Sequence, residues 1–171
     1  MMMKPVLKPM FLAALMLSAL PVYAATAPRI GIQTLAELPT PLPYPYDEAA
    51  DADRAVAAGK ALAKRTGKKL LIDMGGNWCG DCRILAALMA RPELKAFLDT
   101  HYVIVPVDVG RMNKNLQIAG HFGVTKLEGV PALLVVDPRT DKWINRAQLF
   151  ALSDARHMTP QALADWLAQW V

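Results

Sequence analysis

The chain of 171 residues holds two cysteines and three histidines, and each shortage closes off a class of protein. Two thiols cannot build the multi-disulfide framework that staples small secreted scaffolds. A structural zinc site would need two further Cys or His ligands at regular spacing, and His101, His121 and His157 are scattered singly. Clustered positive charge is also missing. The formal charge is +4, and Lys64, Arg65, Lys68 and Lys69 end one helical stretch and open a strand instead of forming a basic stripe, which excludes a nucleic-acid binder. A membrane-crossing helix takes about 20 apolar residues, and the run from Met10 to Leu20 is too short.

What is there begins with an export pattern. Lys4 and Lys8 precede the apolar run, Pro21 breaks it, and Val22 and Ala24 stand before a cut placed after Ala24. A cut after Ala27 would set Pro28 against the scissile bond. Residues 1–24 are therefore expected to be a signal peptide, delivering a soluble, monomeric protein to a bacterial periplasm. No cysteine follows the run in the setting that lipid attachment requires. Loss of Lys4 and Lys8 brings the charge closer to neutral, so the basic balance says little about partners.

Residues 25–46 carry Pro28, Pro39, Pro41, Pro43 and Pro45, which favour an extended path and mark a strap or linker. A single α/β domain is expected over residues 47–171. Acidic residues near Asp47 and basic residues before Gly67 frame a helix over 47–65. The apolar, glycine-bounded run 69–76 reads as a buried strand. Helical spacing returns at Ile84, Leu85, Leu88 and Met89, and Pro92 restarts it. The β-branched run 102–109 is a second strand, parallel to the first by a right-handed crossover. A modest helix over 113–122, a third strand over 129–137, a fourth over 142–150 and a final helix capped by Thr159 and Pro160 complete the order.

Both cysteines fall in GNWCGDCR, residues 76–83. Cys79 at a helix start meets free N–H groups and the positive end of the dipole, which stabilise a thiolate. Cys82 follows one turn later on the same face, placed to resolve a mixed disulfide. Two rival uses compete with exchange: an inert staple, whose tiny loop would constrain the unfolded chain little, and a CxxC metal-binding or metallochaperone site.

Together the residues resemble the thioredoxin family. Trp78 to Cys82 match W-C-x-x-C after a buried strand, Asp73 stands six residues before the first Cys, and Gly129 to Pro131 match G-V-P at the hairpin. The resemblance implies a thioredoxin fold, with a central mixed four-stranded sheet flanked by helices and here an N-terminal helical extension. It implies a thiol-disulfide oxidoreductase with Cys79 as nucleophile, Cys82 as resolving thiol and Asp73 moving protons for Cys82. Trp78, Val130 and Pro131 would bind substrate, Pro131 as the family's cis-proline, and Gly80 and Asp81 between the cysteines would tune the redox poise. No cofactor is required.

The departures set the expected direction. Asp81 replaces a common Pro, Gly75 replaces a second Trp, and Pro106 stands where a Lys is common on the second strand. A carboxylate beside the thiols disfavours the thiolate, and strong oxidants of this fold stabilise theirs. The expectation is a reductant or electron carrier acting on disulfide-containing envelope proteins and recharged by a membrane electron-transfer partner. An oxidase or isomerase is the alternative.

Overall fold

Residues 25–171 are described in the computed structural model, and the expected signal peptide lies outside them. The apolar run at residue 69 forms strand β1 (Lys69–Gly75), buried along all but its first residue. Strand β2 (Tyr102–Asp108) runs parallel on one side of it. On the other side β3 (Ala132–Asp137) runs antiparallel and pairs with the short β4 (Lys142–Trp143). The order β2-β1-β3-β4 is the mixed four-stranded sheet of a thioredoxin-like fold.

Strand alternation divides the core between the two faces. Leu70, Ile72 and Met74, with Leu134 and Val136, pack with residues of helices α1 (Ala52–Thr66) and α4 (Leu116–His121). Leu71, Leu133 and Val135 pack with α2 (Gly80–Met89), α3 (Pro92–His101) and α5 (Pro160–Ala168). Asp73 shares the side of Leu71 and so faces α2.

Helix α1 begins later than the acidic cluster suggested, because Asp51 is the residue that caps it. The Asp51 carboxylate accepts the Arg54 N–H at 3.0 Å, and Gly67 at φ +71° closes the other end. Asp47 instead accepts the N–H of Ala49 in a preceding turn. Helix α4 is likewise shorter than 113–122.

The fourth strand expected over 142–150 ends at Trp143. The cause is Asn145, which is buried and does by side chain what a ladder would do by backbone. It accepts from Val135 N–H at 2.8 Å and Trp143 Nε1–H at 2.7 Å, and donates to the Leu133 carbonyl at 2.8 Å. With these groups satisfied, the chain leaves the sheet in a 3-10 turn at Arg146–Gln148.

The proline-rich strap is extended but firmly seated. Ile30, Ile32 and Leu38 are buried in the core with Leu94, Leu98 and Leu163. Gln161 bonds both Ile30 N–H and the Pro28 carbonyl, at 3.0 and 3.1 Å. The Arg83 guanidinium holds the carbonyls of Leu42 and Pro43 at 2.7 and 3.0 Å and stacks 4.0 Å from the Tyr44 ring centre.

Candidate active site

The turn after β1 delivers Cys79 to the N-cap of α2, where its sulfur accepts the Cys82 N–H at 3.1 Å. The two cysteines are disulfide-bonded, with Cα atoms 5.3 Å apart. Cys79 is 5% exposed and Cys82 fully buried, so an incoming thiol or disulfide meets Cys79 first. From the opposite element, the Val130 carbonyl reaches within 3.5 Å of Cys79 Sγ, and the Val130–Pro131 peptide bond that leads into β3 is cis. Cys79 and Val130 line a cleft of about 410 Å³ together with Trp78, Met112, Ser153 and Arg156. Trp78 is 43% exposed. Its Nε1–H donates to the Gly110 carbonyl at 2.6 Å, and the Arg111 guanidinium lies 4.6 Å from its ring centre.

Beneath the disulfide, Asp73 is buried in the middle strand. Its register neighbours, Pro106 on β2 and Leu133 on β3, carry no charge. Burial therefore pushes the carboxyl up to about 7, while a hydrogen bond from Tyr46 pulls it down. The Tyr46 hydroxyl donates to Asp73 Oδ1 at 2.9 Å. Burial and the neighbouring carboxylate raise the Tyr46 pKa far above its ordinary value, so this hydroxyl keeps its proton.

Asp81 does not act on the thiols as a bare charge pointing into water. Its side chain is buried, and Arg156 closes on it with Nη2 at 2.6 Å, Nε at 3.0 Å and its backbone N–H at 2.8 Å. Burial alone would raise the Asp81 pKa, but the Arg156 bonds together outweigh it and hold the carboxyl below its ordinary value. Gly80, the other residue between the cysteines, lies beside the same guanidinium. His157, next to Arg156 in the chain, pairs with Asp154 and adds its pull to that of Arg156 on the Asp81 carboxyl, whereas His121 pairs with Asp141.

Cys79, Cys82, Asp73, Trp78, Val130, Pro131, Gly80 and Asp81 are thus gathered at one end of the sheet. Sequence reasoning passed over Tyr46 and Arg156, which lie 27 and 75 positions from the carboxylates they bind. One signal for Tyr46 was available, the glycine at 75. A Cβ there would press on the Tyr46 ring and hydroxyl and come within 2.8 Å of Cys82 Sγ. The missing Trp side chain is the space that Tyr46 fills.

A sequence model of the thioredoxin-like family matches residues 51–138. Among solved structures, the chain is similar to the disulphide isomerase of Xylella fastidiosa Temecula1, with 35% identity over 74% of this chain and 96% of that one and a TM-score of 0.69. Two fainter likenesses do not bear on the site. One is a protein of unknown function from Pseudomonas aeruginosa, with 18% identity, coverage of 68% of this chain and 79% of that one, and a TM-score of 0.35. The other is an HIV epitope-scaffold, with 20% identity, 70% and 84% coverage and a TM-score of 0.38. No curated protein matches. The fold, the CxxC pair and the isomerase neighbour support disulfide exchange. Because the matched segment contains both cysteines, Asp73 and Pro131, and the Xylella protein is covered over almost its whole length, the chain belongs to the thioredoxin-like family.

Proposed function

We propose that the chain is a periplasmic thiol-disulfide oxidoreductase working as a reductant or electron carrier. The observation that carries the exchange chemistry is the Cys79–Cys82 pair at the start of α2, one sulfur at the mouth of a cleft and the other buried beneath it. The Cys79 thiolate attacks a client disulfide, forming a mixed disulfide and expelling the client's other sulfur as a thiolate. Cys82 then gives its proton to Asp73 and attacks Cys79 Sγ, which closes the internal bond and releases the second client thiol. Two electrons have moved to the client, and the oxidised pair must be re-reduced by a partner, for which a membrane-borne electron donor fits an oxidising compartment. Val130 offers backbone groups and Trp78 its ring to the client peptide.

The direction rests on how little supports the Cys79 thiolate. The cation lining the cleft, Arg156, is committed to Asp81, leaving the helix start as the main support. A reduction potential measured against glutathione is expected nearer the thioredoxin value of about −270 mV than the strong-oxidant value of about −120 mV. A result at the oxidising end refutes the reductant. Cys82→Ser is expected to trap clients as mixed disulfides on Cys79, and an empty trap counts against exchange altogether. The second reading, an isomerase, is favoured by the similarity to the Xylella protein. It predicts repair of a scrambled substrate without net consumption of reductant. The proposal of export rests on residues 4–24, and a periplasmic fraction yielding a chain that starts at Ala25 tests it.

A further inference from the structure

The strap is joined to the cysteine motif at both ends of that motif. Asn77, two residues before Cys79, bonds the Tyr46 backbone twice, accepting its N–H at 3.1 Å and donating to its carbonyl at 2.8 Å. Arg83, next to Cys82, holds the Leu42 and Pro43 carbonyls. These contacts drive the Tyr46 side chain into the protein, where it is 3% exposed. Its hydroxyl meets Asp73 and lies against the gap left by Gly75, with Cys82 Sγ at the same gap.

We propose that Tyr46 is a positioning residue for the resolving step, its hydroxyl fixing Asp73 Oδ1 and deciding at which pH that carboxylate can take the Cys82 proton. The inference rests on the exchange reading above. A protonated tyrosine can only donate to a carboxylate, so it favours the charged form of Asp73 and opposes the burial that disfavours it. The charged groups around the pair are few. Cys82 faces it from α2, Asp108 acts on Tyr46 from β2 and is itself paired with Lys114 at 2.9 Å, and Pro106 and Leu133 are neutral.

The test is the pH dependence of each half of a single turnover. In the wild type, resolution of a Cys79 mixed disulfide with a chromogenic thiol is expected to rise with a midpoint near 7, where burial places Asp73. Tyr46→Phe keeps the ring and is expected to move that midpoint up by about one pH unit, leaving the initial attack by Cys79 unchanged. In an Asp73→Asn background the same change is expected to move nothing. An unmoved midpoint, or a shift that persists without Asp73, overturns the inference. If Tyr46→Phe does not fold, carbon NMR of the wild type decides: the Tyr46 Cζ resonance is expected to follow the Asp73 titration, and a flat Cζ overturns the proposal. A wild type inert toward disulfides sinks the exchange reading and this inference together, whereas an active wild type with an unmoved variant sinks the inference alone.

Discussion

Asp73→Asn removes a proton-binding group from the centre of β1 while keeping an oxygen that can accept from Tyr46. Its effect on stability follows from the burial of the wild-type carboxyl. In the unfolded chain Asp73 titrates at its ordinary 3.8, and in the fold at about 7. Below 3.8 both states hold the proton and the group contributes nothing that depends on pH. Between the two values the unfolded chain has released a proton that the fold retains, so each pH unit favours unfolding by about 1.4 kcal/mol. Above 7 both states are ionised and the accumulated loss levels off at about 4 kcal/mol, a large share of the roughly 5–15 kcal/mol that holds a domain together. The asparagine variant cannot lose this. It is expected to match the wild type near pH 4 and to exceed it by up to about 4 kcal/mol at pH 8. Guanidinium unfolding of both oxidised proteins across that range, with equal m-values, reads the difference directly, since the titrations they share cancel. A difference that is flat from pH 4 to 8 refutes the claim that Asp73 is buried and holds its proton there.

The ion pair in the motif gives a two-sided test. Arg156→Met leaves the Asp81 carboxylate uncompensated beside the thiols and is expected to lower the reduction potential, whereas Asp81→Asn frees the guanidinium and is expected to raise it. Shifts of about 30 mV each, tenfold in the exchange constant, would be seen in glutathione equilibria, and movement in the same direction would contradict the electrostatic account. Gly75→Ala sets a methyl group against Tyr46 and Cys82 and is expected to cost about 1–3 kcal/mol in denaturant unfolding. Leu38→Ala, in the strap, empties a buried site and is expected to cost about 2–5 kcal/mol. A near-neutral result there would mean that the strap adds nothing to the fold.

What could be read without the structure was whatever the chain writes locally. The strand at residue 69 announces itself by an apolar run, and α2 by a 3.6-residue pattern that starts at Cys79. Order then follows, because a parallel crossover permits few arrangements. Element ends were less legible where a side chain decides them. Asp51 and not Asp47 starts α1, since a cap must reach the N–H two or three residues ahead with its own backbone outside the helix. Asn145 ends β4 early by satisfying the backbone of β3 from the side, and no local pattern distinguishes that asparagine from one in a surface turn.

The same limit explains Asp81, and there it changes the physics and not only a boundary. Standing between the two cysteines in sequence, Asp81 looks like an unbalanced negative charge that would make the pair reducing on its own. Its balance comes from a segment 75 positions away, LSDARHM, folded against α2 so that Arg156 meets the carboxylate. A closed ion pair acts on the Cys79 thiolate only through the difference in distance of its two ends, a weak and salt-insensitive influence compared with a lone charge. The proposed reducing character therefore rests on Arg156 being, among the described residues, the cation that lines the cleft and being held by Asp81. A client that draws Arg156 away from Asp81 on docking would expose that carboxylate to the thiols, make the pair more reducing in the complex than in the free protein, and favour electron transfer to that client.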